Sequence, residues 1–226
     1  MFKVIKWNGT SITPEDFSQV SAKDSIHFCE FHKDGIKYSC ISRSSADPYP
    51  CVVDELKPFF GLPKLGTRFI KRGSTCTLLI RNLPPIVRIS DLPTDELKPL
   101  ENEIRKTYLF RELTGMSVNF DRSLILRDQK EVVSFHDTCS TEGETSTMER
   151  KVIYNLFGDM RTFVREMKLF IISNMENKEK DPVIYYSEIV QDIVSRIDTS
   201  VGYLVTDIGR KIKRYMLKEN LEENIW

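Results

Sequence analysis

Apolar residues recur every three or four positions through the last third of the chain, and alternate with polar ones over much of the rest. The two periods correspond to one buried side of a helix and one buried side of a strand. Val152, Leu156, Met160, Phe163, Met167 and Ile171 form one helical stripe, widened by Ile153, Phe157 and Val164. Ser146 and Glu149 before it fit a capping box, in which each side chain satisfies the other's backbone donor. Roughly 26 residues at about 1.5 Å each predict a helix near 39 Å long. The pattern breaks over residues 174–182, where Asp181-Pro182 supplies a cap and a first-position proline. A second stripe runs through Tyr186, Val190, Ile193, Ile197, Val201, Leu204, Ile208, Ile212 and Tyr215. Its spacing of about 3.6 residues per step predicts one straight helix, with Gly202 and Gly209 marking a kink or close packing. Two long amphipathic helices joined by a short loop predict an antiparallel hairpin.

Upstream the period shortens to two. FKVIKW (2–7) precedes Asn8-Gly9, which tolerates the positive φ angles of a tight hairpin turn. Thr13, Pro14, Glu15 and Asp16 carry the start signals of a short helix. The alternating runs on either side of Asp34-Gly35 predict a hairpin over 26–42, pairing Phe31 with Tyr38, Cys29 with Cys40 and Phe28 with Ile41. Residues 43–66, with Pro48, Pro50, Pro58 and Pro63, read as loop-rich, with room for a short helix near 53–60. Further strands are predicted near 68–72, 76–81, 86–90, 123–127 and 131–136. A helix is predicted over 96–115, with Leu100, Ile104, Tyr108 and Leu113 on one side and Gly115 as its stop. The expected architecture is α+β: a β-rich module over 1–137 with one main helix, a small polar linker over 138–147, and the helical hairpin over 148–226.

Composition narrows the class. The 226 residues are 40% apolar and 29% charged, which describes a globular chain with a real core. Lys plus Arg equal Asp plus Glu at 33 each, which disfavours broad coating of nucleic acid. No run of apolar residues is long enough to predict a membrane span, and MFKVIKWNGT lacks the apolar stretch of a secretory signal. Five cysteines, an odd number, suit reduced thiols, so the expected location is intracellular, cytoplasmic or nuclear.

Little of the chemistry assembles. Cys29-x-x-His32 has a ligand-like spacing, but alternation places His32 on the opposite side of the strand from His27 and Cys29. Zinc at Cys29 and Cys40 would need His27 and a fourth ligand, with Cys51 arriving from the loop. The simpler expectation is small core cysteines and no metal. His136 and Cys139 lie close in sequence but on an extended segment whose side chains diverge, and no Gly-x-Ser-x-Gly elbow is present. Glu101 and Glu103 are two apart on a helix, and Glu142 and Glu144 fall in the linker, so neither is a catalytic carboxylate pair. No catalytic residue and no cofactor is expected.

Residues 68–81, RFIKRGSTCTLLIR, place Gly73 and Ser74 between two strands in the manner of a loop that covers a phosphate. The order that follows, strands with one helix over 96–114 between the third and fourth, is similar to the small lobe of protein kinases. That resemblance implies a phosphate-covering loop at Gly73, Arg88 in the position of the phosphate-holding lysine, and Glu101 or Glu103 as the helix acid. The sequence departs from the pattern in having one glycine where the motif has three, and arginine for lysine. It has neither His-Arg-Asp nor Asp-Phe-Gly downstream. A degenerate nucleotide or phosphate binder, with contacts at Gly73, Ser74 and Arg88, is one expectation; an ordinary β-turn is the other.

The last helix carries Arg210, Lys211, Lys213, Arg214 and Lys218 beside Ile208, Ile212 and Tyr215. A basic amphipathic face of this kind meets nucleic acid, anionic lipid or an acidic partner, while Glu219, Glu222 and Glu223 dilute its field. The leading functional expectation is a non-catalytic interaction or scaffold protein, assembled through its C-terminal helices with another protein or a second copy of itself. Nucleic-acid binding by the 210–218 face is the alternative from another class. Two helices alone bury Phe157, Phe163, Phe170, Tyr185 and Tyr186 poorly, so those stripes should pack on the N-terminal module, a second copy or another protein.

Overall fold

The computed structural model describes residues 5–7, 10–12, 17–23, 26–33, 36–44, 48–64, 66–72, 75–81, 87–88, 92–115, 124–127, 131–134, 154–197 and 199–217. Side chains are described over 48–64, at 66, over 92–115, at 132, and over 154–197 and 200–217. That part of the molecule is mostly helical.

Strand backbones are described in three antiparallel groups. β1 (Ile5–Trp7) pairs with β2 (Thr10–Ile12). β3 (Phe17–Lys23), β4 (Ile26–Lys33), β5 (Ile36–Ser44), β6 (Thr67–Arg72) and β7 (Thr75–Arg81) form a five-stranded order β3-β4-β5-β7-β6. β8 (Val87–Arg88), β9 (Leu124–Arg127) and β10 (Glu131–Ser134) form the third group. In the β4–β5 ladder Cys29 is opposite Cys40, Phe28 opposite Ile41 and Phe31 opposite Tyr38, the register that a two-residue connection between Lys33 and Ile36 produces. Of the helix expected at 13–17, Phe17 opens β3 instead, and residues 13–16 lie outside the described residues.

The helices are α1 (Tyr49–Leu56), continued by a 3-10 turn over Lys57–Phe60, then α2 (Thr94–Leu97) and α3 (Glu101–Thr114). The C-terminal region holds α4 (Met160–Ser173), α5 (Pro182–Ile197) and α6 (Tyr203–Leu217). α1 starts earlier than the proline-rich reading of 43–66 suggested, because Pro50 falls inside its first turn, where a missing N–H costs nothing.

The expected pair of long helices is corrected to shorter segments: among the described residues, helix over 154–157 and then α4, α5 and α6. The first break falls at Gly158, whose φ of +77° favours glycine, followed by Asp159, whose carboxylate accepts the Thr162 N–H at 2.7 Å and caps α4. That hydrogen bond, with the Thr162 hydroxyl and the neighbouring Arg161 charge, holds the Asp159 carboxyl below its ordinary range. The second break is the 3-10 turn Thr199–Val201 and Gly202, after which α6 folds back on α5. Gly209 sits there against Val183 and Ser187, and a Cβ at 209 would lie 3.1 Å from the Ser187 hydroxyl. The apolar period survives both breaks because every segment buries its stripe in the same core.

That core draws on both sides of the polar stretch 138–147. Val52, Val53, Leu56 and Phe60 join Tyr108, Phe110 and Leu113, and these join Phe157, Phe163, Met167, Tyr186, Val190, Ile208 and Ile212 in one buried cluster. The C-terminal stripes are therefore covered by α1, its 3-10 turn and α3 of the same chain. Phe163 is 1% exposed and Tyr186 0%. A smaller cluster joins Ile104 of α3 to Val132 of β10.

Candidate functional site

The basic residues of α6 divide into two sets. Successive helical residues turn by about 100°, so Tyr203, Arg210, Arg214 and Leu217 lie in one row, with Thr206 and Lys213 beside it. This row faces solvent: Tyr203 is 51% exposed and Leu217 68%. Arg210 bonds Asp207 at 2.8 Å, an exposed pair one turn apart that contributes little to stability. Arg214 and Lys213 are exposed, and Lys218 lies outside the described residues. The row is about 21 Å long and carries an aromatic, an aliphatic and three cations on a rigid helix.

Lys211 does not belong to that set. Its Nζ donates to the backbone carbonyl of Glu112 at 2.7 Å, in the last turn of α3. A cation there meets the negative end of a helix dipole and a last-turn carbonyl that also accepts the Gly115 N–H. One turn later, the Tyr215 hydroxyl donates to Glu112 Oε1 at 2.8 Å. Gly115 caps α3 with φ +69°, and a Cβ at this position would lie 3.1 Å from Lys211 Nζ. Glu112, Lys211, Tyr215 and Gly115 thus clamp α6 to the end of α3. Sequence spacing cannot reveal this, since the partners are about 100 residues apart.

Tyr215 is buried, and burial, then the Glu112 charge and the hydrogen bond to it, push its phenol well above the ordinary tyrosine range. Tyr186 is raised as well, by burial and then by the neighbouring Tyr185, and its hydroxyl donates to the Ile171 carbonyl at 2.9 Å. Both phenols hold their protons in the folded state past the pH at which an unfolded tyrosine ionises, about 10. Below that pH their contribution is fully present; above it the unfolded chain binds fewer protons, and stability falls as pH rises. Urea unfolding followed across that range should show a steepening loss above about pH 10, and Tyr215→Phe should flatten it. An unchanged slope in the variant would remove Tyr215 from this account.

Of the expected phosphate contacts, the backbone of Arg88 is among the described residues. Gly73 and Ser74 lie outside the described residues; the strands on either side, β6 and β7, pair Arg72 with Thr75 in the five-stranded group. Arg88 is on β8, paired with Ile125 of β9 in the other group. The two acids that would hold Arg88 are engaged along α3: Glu101 bonds Arg105 at 2.8 Å and Glu103 bonds Lys106 at 2.8 Å.

Cys51 is buried in α1, and among the described residues no three His, Cys, Asp or Glu side chains come together as a metal site. Among those residues, too, no helix is long and apolar enough to cross a membrane.

Two charged groups have no counterpart in the sequence reading. Asp54 and Lys57, 0% and 2% exposed, bond at 3.0 Å beneath α1, and the second Asp54 oxygen accepts the Gly66 N–H at 2.8 Å. Arg105 reaches from α3 to Glu166 of α4 at 3.2 Å, with its guanidinium 5.6 Å from the centre of the Phe157 ring. The spacing Asp54-x-x-Lys57 is a helical pair that sequence does contain; its burial is what sequence does not.

Comparison with protein-family models finds no match, and comparison with curated proteins finds none either. Among solved structures the chain is similar to one described as WaaP in complex with acyl carrier protein, at 11% identity and a TM-score of 0.37, covering 87% of this chain and 88% of that one. At that score the likeness does not establish a shared fold.

Proposed function

We propose that this chain is a non-catalytic interaction or scaffold protein that binds a protein partner along the outer face of α6. The observation that carries this is the exposed row Tyr203, Arg210, Arg214 and Leu217, with Lys213 beside it. Tyrosine and arginine are the residue types that anchor protein interfaces, because each offers a large contact area and a directional polar group. The three cations select an acidic partner surface. The apolar stripes play no part in this contact, since they are already buried within the chain. Another protein is therefore favoured over a second copy. The same reading keeps the α+β division, with a β-rich module over 1–137, a polar linker over 138–147 and the helical region over 148–226 presenting the binding face.

Cross-linking of tagged wild-type chain and a Tyr203→Ala, Arg210→Glu, Arg214→Glu variant, with cross-linked residues mapped by mass spectrometry, tests the proposal. All three side chains point to solvent, so the variant should keep its unfolding midpoint and lose cross-links from the α6 face, with affinity down roughly 100-fold. Light scattering on the purified chain separates the two kinds of partner: a monomer excludes self-assembly. Partner cross-links retained at full yield by the variant would defeat the reading.

The basic row also supports nucleic-acid binding, because Arg210, Lys213 and Arg214 fall within little more than one turn. That reading differs in requiring affinity that falls steeply with salt. Nucleotide or phosphate binding at Gly73, Ser74 and Arg88 is a third proposal, checked by a thermal shift with ATP and magnesium.

A further inference from the structure

We infer that Cys29 and Cys40, with Arg81 in register beside them, form a thiol–disulfide switch that locks β4 to β5 under oxidising conditions, independently of the α6 face. The two cysteines are direct partners in the antiparallel β4–β5 ladder. The row continues on both sides: Gln19 of β3 is the partner of Cys29, and Arg81 of β7 is the partner of Cys40. Directly opposed residues share one side of a sheet. Gln19, Cys29, Cys40 and Arg81 therefore form one row across β3, β4, β5 and β7.

Antiparallel register settles the distance. Opposed Cα atoms are about 4.5 or 5.5 Å apart, according to which kind of pair they form. Both values fall inside the range of roughly 4.4–6.8 Å that a disulfide spans. The bond thus needs no shift of either strand. Phe28, Ile41 and Ile80, one position along, make the next row and alternate to the other side of the sheet. The cysteine side holds His27 and Ser42 on one flank and Phe31 and Tyr38 on the other. Among the described strand residues this register gathers three residues of metal-binding type, His27, Cys29 and Cys40, where a structural zinc takes four. A disulfide needs only the opposed pair.

Arg81 gives the two thiols different roles. A cation in register with Cys40 favours its thiolate, the form that attacks a disulfide. Against oxidised glutathione, the Cys40 thiolate displaces one glutathione thiolate and forms a mixed disulfide. Cys29 then gives up its proton and attacks the Cys40 sulfur, closing the protein disulfide and releasing the second glutathione thiolate. In total two protein thiols lose two electrons and two protons, and the oxidant becomes two glutathione thiols. The product closes the hairpin loop between residues 29 and 40 and fixes the register against the slip that would exchange the two sides of β4. In reducing surroundings the pair rests as thiols.

The reduced full chain, incubated in glutathione buffers of increasing oxidised fraction and then acid-quenched, thiol-blocked and digested with trypsin without reductant, tests the inference. Trypsin cuts after Lys33 and Lys37, so the two cysteines leave on separate peptides unless they are bonded. The expected product is a Cys29–Cys40 linked peptide formed from the folded chain, with the unfolding midpoint raised by roughly 5 °C and restored by dithiothreitol. Cys29→Ser should stop at a glutathione adduct on Cys40, and Cys40→Ser should gain its adduct at Cys29 more slowly. Arg81→Gln should slow formation of the linked peptide severalfold. Each variant is checked for an unfolding midpoint close to that of the reduced wild type, and the wild-type mapping decides where a variant fails to fold. Absence of the linked peptide overturns the inference, as does its formation only in urea. So does a main product joining Cys29 or Cys40 to Cys51, Cys76 or Cys139, or an unchanged rate in Arg81→Gln. Zinc retained by the reduced chain with both thiols protected also overturns it, and assigns the row to a metal.

Discussion

Phe60→Ala is expected to lower the free energy of unfolding by about 4 kcal/mol, in the range for a buried phenylalanine cut back to alanine. For a chain of this size that moves the thermal midpoint down by roughly 10 °C. Phe60 is 1% exposed, and its ring lies 4.4 Å from Tyr186, 5.3 Å from Phe170 and 5.4 Å from Phe110. Those three rings come from α5, α4 and α3, so the residue joins three helices at one point. The Tyr186 ring is stacked on it and the Phe110 ring meets it edge-on, arrangements that add to the area term. Removing the side chain leaves a cavity walled by rings on separate helices. None of them can move in without dragging its helix from its other contacts, so the cavity persists and the cost approaches the upper range. Phe59 is only half-buried at the edge of the cluster, and Phe59→Ala should cost clearly less. Urea unfolding of both variants measures the difference. Equal losses, or a loss below about 1.5 kcal/mol at Phe60, would show that this contact is not the junction of the core.

The second large effect is expected at Asp54. Asp54→Ala should cost about 3–5 kcal/mol, the range for breaking a buried ion pair from one side. Lys57 is 2% exposed, and the substitution removes its carboxylate at 3.0 Å together with the acceptor for the Gly66 N–H. A buried ammonium that loses its counter-charge must either lose its proton or drag its stem toward water. Asp54→Asn keeps an acceptor for Gly66 and should fall between wild type and alanine. The double variant Asp54→Leu, Lys57→Met removes both charges with little change in volume and should recover most of the loss. A double variant no better than Asp54→Ala would mean that the carboxylate acts through the Gly66 turn and not through the lysine. A double-mutant cycle at constant pH separates the two contributions.

These residues also show what a reader of the sequence can see. Phe60 sits in a stretch with Pro48, Pro50, Pro58 and Pro63, which reads as loop-rich with room for a short helix near 53–60. It is the last residue of the 3-10 turn that continues α1, and it lies in the centre of the core, which the spacing does not reveal. Proline marks irregular backbone correctly, but irregular backbone need not be at the surface when its groups are bonded. Here the Gly61 and Leu62 N–H groups return to Pro58 and Lys57. Lys211 reads as one cation in a basic face, yet its partner is a carbonyl of α3. A lysine stem is long enough to leave its row, and nothing local records where it goes.

The apolar spacing alone determined which side of each C-terminal segment would be buried, because burial of a side chain depends on the helical period and little else. Turn and cap residues marked the end of α3 at Gly115 and the start of α5 at Pro182 for the same local reason. Tertiary structure decided where the expected long helices would end and what would cover their stripes. A stripe specifies that a side is apolar and not what lies against it, so the same pattern suits a second copy, a partner or this chain's own α1 and α3. The choice fell to the last because Phe60, Tyr108 and Phe110 arrive from distant sequence to fill the space between α4, α5 and α6. With the apolar side spent inside, the polar sides of α4 and α6 are left at the surface of the described residues.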